Sequence, residues 1–245
     1  SNNIISQHKQ NASPIHILQQ KGFSEEAAYD LLASGLDISI IEEAGIRPAV
    51  EKEIIKDYHI PILDRKSHIK KFFPLYLIPY PIVDIKDQNK MVRVKVKPNP
   101  TYLLSDPSIK DTKYLQPSKE HLHYGSHLYI LPSELQKFQS PKCHLILVEG
   151  EKKTLKLIQE IRKIEDKIGK YAVIGISGIY NWLNAPEWEM VKLKGRKVII
   201  FFDADAEKNT AVVEAEIQLT GYLYFQGAST VSYTHLRAHE TRHDI

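Results

Sequence analysis

Two apolar segments of this 245-residue chain each run directly into carboxylates. Residues 145–148 lead into Glu149, and residues 198–202 lead into Asp203 and Asp205. Several carboxylates in one place raise one another's pKa, so such a cluster normally needs a cation to stay ionised. Magnesium or manganese prefers oxygen ligands and can meet phosphate oxygens, which suits phosphoryl or nucleotidyl transfer. The alternative is that these acids are ordinary polar residues at strand ends.

The segments around these acids predict how they are positioned. The two apolar runs lack alternation of apolar and polar residues, as is typical of strands that helices cover on both faces. Residues 152–168 carry helical spacing, and residues 171–176 form a further apolar run. Strands that alternate with helices indicate a parallel sheet, and the carboxyl ends of its strands border the ligand crevice. We therefore expect Glu149, Asp203 and Asp205 to converge.

Three glycines occur close to the predicted strand ends. Gly150 follows Glu149 and would let the backbone turn tightly into the next helix. Gly175 and Gly178 lie at the end of the apolar run 171–176. Their backbone amides could approach a phosphate or the metal, as loops after parallel strands often do. A plain tight turn is the alternative for both.

Basic residues accompany the acidic cluster. Apolar and basic side chains alternate along residues 91–97, so Arg93 and Lys95 share one face of a predicted strand. That face could contact phosphates or could simply be solvated. Lys152 lies in the first turn of the helix after Glu149, where a basic edge would attract a phosphate backbone. A solvated helix face is again the alternative.

The order of these motifs resembles the Toprim domain shared by bacterial-type primases, topoisomerases and related nucleases. The motifs are a strand into Glu149 and Gly150, a helix, the segment 172–178, and a strand into Asp203-x-Asp205. Val-Glu-Gly-Glu-Lys-Lys at 148–153 is particularly similar to a Toprim-like domain of unknown function found in plasmid and phage replication proteins. Upstream motifs beginning at Lys-Tyr-Leu, 113–115, resemble the segment that precedes Toprim in bacterial-type DNA primases. The resemblance extends over about residues 30–228.

The resemblance implies an α/β fold, with a Toprim-like parallel sheet flanked by helices after a helical and strand-rich (α+β) primase-core-like region. It implies that Glu149 is the catalytic or metal-organising acid, that Asp203 and Asp205 bind Mg²⁺ (or Mn²⁺), and that Lys113 contacts a phosphate. The implied activity is nucleotidyl transfer from nucleotides on a single-stranded DNA template, beside a helicase module or partner. A Toprim-type nuclease and a non-catalytic nucleic-acid-binding module of a primase-helicase are the alternatives. Lys153, which stands where primases carry an acid, favours the module.

Changes in residue composition and spacing divide the chain into four segments. Residues 1–59 predict short helices, residues 60–140 predict strands cut by prolines, and residues 141–228 predict the Toprim-like domain. Residues 229–245 resemble the conceptual translation of a sequencing-library adapter. We therefore expect this tail to be foreign to the gene and the Toprim-like domain to be truncated at its C-terminal end.

Composition limits the classes of protein to which the chain can belong. Lysine and arginine total 33 against 30 acids, and this charge of +3 permits nucleic-acid binding without requiring it. The single cysteine, Cys143, excludes an intramolecular disulfide and a zinc ribbon, and it suits a reducing compartment. No segment approaches the ~20 apolar residues of a membrane span. We expect a cytoplasmic protein without membrane association.

Overall fold

The computed structural model describes residues 12–82, 91–122, 125–164, 170–203 and 210–236. Within these residues the chain forms two β-sheets and the helices that pack on them. The helices are α1 (Pro14–Gln20), α2 (Glu25–Ala33), α3 (Ile38–Glu43), α4 (Glu51–Lys56), α5 (Pro100–Leu103), α6 (Pro132–Gln139), α7 (Glu151–Arg162) and α8 (Thr210–Phe225), with 3-10 turns at Pro107–Ile109 and Pro186–Met190. The strands are β1 (Arg47–Pro48), β2 (Phe72–Pro79), β3 (Val92–Pro98), β4 (Tyr114–Leu115), β5 (Leu128–Tyr129), β6 (His144–Glu149), β7 (Tyr171–Ile176), β8 (Lys197–Asp203) and β9 (Thr230–Leu236). None of the helices in this described part is both long and apolar enough to cross a membrane.

The first three helices lie within residues 1–59, where the sequence predicts short helices. Ser24 caps α2, because its hydroxyl oxygen accepts a hydrogen bond from the backbone N–H of Ala27 at 3.2 Å. Leu18 and Leu31 are fully buried in a core that also contains Ile146 of β6. The N-terminal helices therefore pack against the second sheet, and this contact fixes α2 close to α7.

The first sheet is antiparallel, in the order β1-β2-β3-β4. Val92, Val94 and Val96 of β3 are buried, whereas Arg93 and Lys95 lie on the opposite face and remain partly exposed. The alternation of apolar and basic residues along β3 is thereby confirmed. Since neighbouring side chains of a strand point to opposite faces, the valines pack inward and the two cations share one surface.

The second sheet has the order β5-β7-β6-β8-β9, in which only β5 runs antiparallel to its neighbour. Ile146 and Val148 of β6 pack with Leu155 of α7 on one face. On the other face, Leu145 packs with Leu219 of α8. The chain is thus a mixed α/β protein with a mostly parallel sheet between helices, as the apolar runs without alternation predicted.

Arg196 joins α6 to the start of β6. The side chain is 1% exposed and donates to the carbonyls of Lys137, Phe138 and Cys143 at 3.2, 2.6 and 2.8 Å. The last carbonyls of a helix lack partners within the helix, so the guanidinium satisfies two of them in α6. Burial lowers the pKa of Arg196 to about 10.

Strand β9 was not predicted from the sequence. It pairs in parallel with β8 from Lys197↔Thr230 to Asp203↔Leu236, and so it occupies the outer side of β8. Residues 230–236 belong to the stretch that resembles an adapter translation, and that origin stays a prediction. Their β-branched and aromatic residues suit a strand whatever their origin, because an open sheet edge offers unpaired backbone groups to any extended segment.

Candidate functional site

Glu149 lies at the carboxyl end of the central strand of the second sheet. Strand β6 connects through α7 to β7 on one side, whereas β8 connects through α8 to β9 on the other side. The ends of β6 and β8 therefore form a topological switch point, where open α/β sheets bind their ligands. Val148 pairs with Phe201, so Glu149 and Asp203 close neighbouring strands. The side chain of Asp203 and the whole of Asp205 lie outside the described residues.

A groove of about 470 Å³ opens at this strand end. Its lining includes Glu149 of β6, Lys152 of α7, Arg93 and Lys95 of β3, and Lys113, which directly precedes β4. These are five of the residues that sequence analysis selected, and the fold brings them to one surface. The groove therefore combines a carboxylate of the parallel sheet with cations of the antiparallel sheet.

Tyr114 orients the cations of β3. The Arg93 guanidinium lies 5.2 Å and the Lys95 ammonium 4.9 Å from the centroid of its ring. A cation at this distance is attracted by the negative face of an aromatic ring. Arg93 also donates to Gln116 Oε1 at 2.6 Å, so its side chain is restrained from two directions.

Glu151, the first residue of α7, forms an ion pair with Arg93. Its carboxylate is 4% exposed, accepts a hydrogen bond from Tyr80 at 2.5 Å and lies 3.6 Å from Arg93 Nε. Burial and the neighbouring Glu151 carboxylate raise the pKa of Tyr80 well above its usual value, so the phenol stays protonated and donates. Glu151 therefore faces the boundary between the sheets, where it neutralises one groove cation.

Asp30 of α2 forms a second ionic cluster. Its Oδ2 accepts hydrogen bonds from Lys152 Nζ at 2.8 Å and from Tyr76 Oη at 2.5 Å. Lys95 Nζ lies 3.9 Å from Oδ1. Burial raises the pKa of Asp30, but the hydrogen bonds from Lys152 and Tyr76 and the two lysine charges outweigh it, so the net pKa is lowered. The sequence patterns indicate both lysines as candidate phosphate contacts, but they indicate neither Asp30 nor Tyr76.

The lysines of the groove lie close enough to affect one another's ionisation. Burial lowers the pKa of Lys95, the Asp30 carboxylate opposes this shift, and the charges of Lys152 and Lys113 add to it. Lys113 differs from the other two, because its side chain is exposed and has no hydrogen bond or ion pair within the described residues. An anion that enters the groove would therefore meet Lys113 as the least compensated lysine.

Gly150 begins α7 with a backbone φ of +89°, in the left-handed region that favours glycine. Its N–H donates to the carbonyl of Ile176 at 2.8 Å, which ties the turn to the end of β7. This sharp turn confirms the expected role of Gly150. It brings the N-terminus of a twelve-residue helix to the groove, where the positive helix end favours anions.

Gly175 lies inside β7 and has a packing reason to be glycine. A Cβ atom here would be 2.7 Å from Thr154 Oγ1 and 2.9 Å from Tyr129 Cβ. Gly178 lies in the loop after β7, where a Cβ would be 3.3 Å from the amide nitrogen of Asn181. Ser177, between the two glycines, lines the groove. Phosphate contact by either glycine backbone stays a prediction.

The residue types at the ends of β6 and β8 are those expected of a magnesium site. Glu149 closes β6 and Asp203 closes the neighbouring β8, so two adjacent strands end in acidic residues, the residue type that a hard divalent cation prefers. Among the described residues no group of three or more His, Cys, Asp or Glu side chains is arranged to hold a metal. Two of the three predicted ligands, the Asp203 side chain and Asp205, lie outside the described residues.

Residues 136–243 match a family model described as Domain of unknown function (DUF3854). The matched segment begins within α6 and contains Glu149, Asp203, Asp205 and the strands β6 to β9. Neither the search of curated proteins nor the search of solved structures found a match. The family description names no activity.

Proposed function

We propose that the chain is a primase-like Toprim protein of a plasmid or phage replication system, acting in the cytoplasm. It would carry out magnesium-dependent nucleotidyl transfer on a single-stranded DNA template. The observation that carries the proposal is the groove at the switch point. There Arg93, Lys95 and Lys113 line the same groove as Glu149, at the only edge of the parallel sheet where two strand connections diverge among the described residues.

Each side of the groove contributes a different part of this activity. Lysine and arginine attract the phosphates of a template or nucleotide without reading its sequence, which suits an enzyme that copies any template. Arg93 packs against Tyr114 and donates to Gln116, so its charged end is held in place before a ligand arrives. The N-terminus of α7 adds a further positive field.

Glu149, Asp203 and Asp205 would hold magnesium. When bound there, the metal would neutralise developing charge on phosphoryl oxygens and favour ionisation of the attacking hydroxyl. Glu149 would position the metal or accept the proton of that hydroxyl, and Lys113 would hold a phosphate next to it. A helicase module or partner would supply the single-stranded template.

The test is an assay with labelled nucleotides and single-stranded DNA, with and without magnesium. Primer synthesis that requires magnesium supports the proposal. Cleavage of the DNA would instead indicate Toprim-type nuclease chemistry. Binding without either reaction would indicate a non-catalytic nucleic-acid-binding module, a reading favoured by the pairing of Lys95 and Lys152 with Asp30.

Glu149→Gln is the decisive variant, because it preserves shape and removes the charge. We expect it to reduce synthesis by about 100-fold or more, as the loss of a catalytic acid or base usually does. Binding of DNA, measured by fluorescence anisotropy, should change little. Glu120→Gln is the matched control, since Glu120 is exposed and lies outside the groove. Full synthesis by Glu149→Gln would refute the assigned role.

A further inference from the structure

The Asp30 carboxylate is bound in the way that a phosphate would be bound. Two lysines and a tyrosine hydroxyl converge on it, with the Lys152 and Tyr76 bonds at 2.8 and 2.5 Å and Lys95 at 3.9 Å. Lysine ammonium groups and hydroxyls are common phosphate donors. Asp30 therefore occupies two lysines that line the groove and that would otherwise be available to a phosphate.

The lysine ends can leave Asp30 more easily than Asp30 can leave the lysines. Asp30 has a short side chain on α2, whose residues Ala27 and Leu31 are fully buried in the core. Lys95 and Lys152 carry flexible four-carbon stems, and their side chains keep 16% and 18% exposure. An exchange of partners therefore requires only a shift of two ammonium groups.

We propose that Asp30 is a built-in competitor for phosphate, which holds Lys95 and Lys152 until a phosphate of nucleic acid or nucleotide displaces it. The inference rests on the proposed function in that the groove is taken to bind phosphates. The competitor raises the concentration of ligand needed to fill the groove. It also keeps two neighbouring ammonium groups compensated while no ligand is bound.

The other cations of the groove do not depend on Asp30. Lys113 lines the groove, and Arg93 is paired separately with Glu151. If the Asp30 charge is removed, that carboxylate no longer compensates the repulsion between Lys95 and Lys152, and an incoming anion is favoured in its place. Loss of the carboxylate should therefore strengthen phosphate binding. If Asp30 only held the lysines in position, its loss would weaken phosphate binding instead.

The experiment compares the full chain with its Asp30→Asn and Asp37→Asn variants. Asp37 is an exposed acid of the same helical region and makes no side-chain cap bond, so it controls for the change in net charge. The probes are a labelled single-stranded DNA of mixed sequence and inorganic pyrophosphate. Asp30→Asn should bind both about tenfold more tightly at low salt, as expected when one close charge is removed. Asp37→Asn should bind as the unaltered chain does.

Two further measurements connect the gain to the lysines. The gain should shrink as salt is raised, because screening weakens charge competition. It should also shrink in a Lys152→Gln background, since a double-mutant cycle reports the coupling between Asp30 and Lys152. If Asp30→Asn does not fold, as judged by circular dichroism, Asp30→Ser removes the same charge and keeps a hydroxyl acceptor.

The outcomes separate this inference from the proposed function. Equal or weaker binding of both probes by the Asp30 variants overturns the competitor role and indicates that Asp30 only holds the lysines in position. Tighter pyrophosphate binding without DNA binding by any variant supports the competitor but refutes the replication function. Failure of every variant to bind either probe overturns both.

Discussion

Gly175→Ala tests whether packing or ligand contact explains the glycine of β7. Gly175 pairs with Tyr129 on one side and with Val148 on the other, and its missing side chain faces Thr154 of α7. An added Cβ would lie 2.7 Å from Thr154 Oγ1 and 2.9 Å from Tyr129 Cβ. Neither atom is the free end of a flexible side chain, so α7 or β5 must move away from the sheet.

Overpacking of this kind costs about 1 to 3 kcal/mol of unfolding free energy. In a domain of this size each kcal/mol lowers the melting temperature by about 2 to 4 °C. Urea unfolding followed by tryptophan fluorescence is a suitable assay, because Trp182 lies in the core of the second sheet. The midpoint should fall while the slope of the transition is unchanged.

Gly221→Ala is the matched control for Gly175→Ala. Gly221 lies within α8, and nothing lies within 4 Å of a Cβ added to it. Alanine there should stabilise the protein by about 0.5 to 1 kcal/mol, because glycine disfavours helix interiors. If Gly175→Ala is as stable as the unaltered chain but binds DNA less tightly, the packing explanation is wrong and the glycine serves the ligand.

Three further predictions concern charge. Lys113→Ala should reduce the slope of log affinity for single-stranded DNA against log salt by about 0.7, and Lys110→Ala, which changes an exposed lysine outside the groove, should leave it unchanged. Arg196→Met should lower the unfolding free energy by about 2 to 4 kcal/mol in urea, since three carbonyls lose their donor. The folded-state pKa of Asp30 is lowered, so its stabilisation is present above its ordinary value of 3.8 and is lost as the pH falls through the folded pKa. The difference in melting temperature between the unaltered chain and Asp30→Asn should therefore close in acid; a constant difference would contradict the ionic role.

The elements around Glu149 could be predicted because their signals are local. Apolar runs without alternation identify covered strands, and the basic alternation of residues 91–97 identifies a half-buried strand. The hydroxyl of Ser24 is an equally local signal, since it caps the helix that begins at the next residue. These patterns place Arg93 and Lys95 on one face, but they do not indicate which residues that face contacts.

The partners of those cations could not be predicted, because they depend on contacts between distant segments. Asp30 and Lys152 are separated by 122 residues, and Tyr80 and Glu151 by 71. No spacing in the sequence distinguishes Asp30 from the other acids of α2. Only the core shared by the N-terminal helices, β2 and α7 brings its carboxylate to the lysines.

The groove also explains why one sheet cannot supply the site alone. The parallel sheet contributes Glu149, but Arg93 and Lys95 come from the antiparallel sheet, and Lys113 directly precedes its strand β4. The segment that matches the family model begins at residue 136 and therefore includes the acids without these three cations. A protein that shares only this segment would keep Lys152 but would lack these three cations. If the groove binds phosphate as proposed, its affinity therefore depends in part on the region that precedes the parallel sheet.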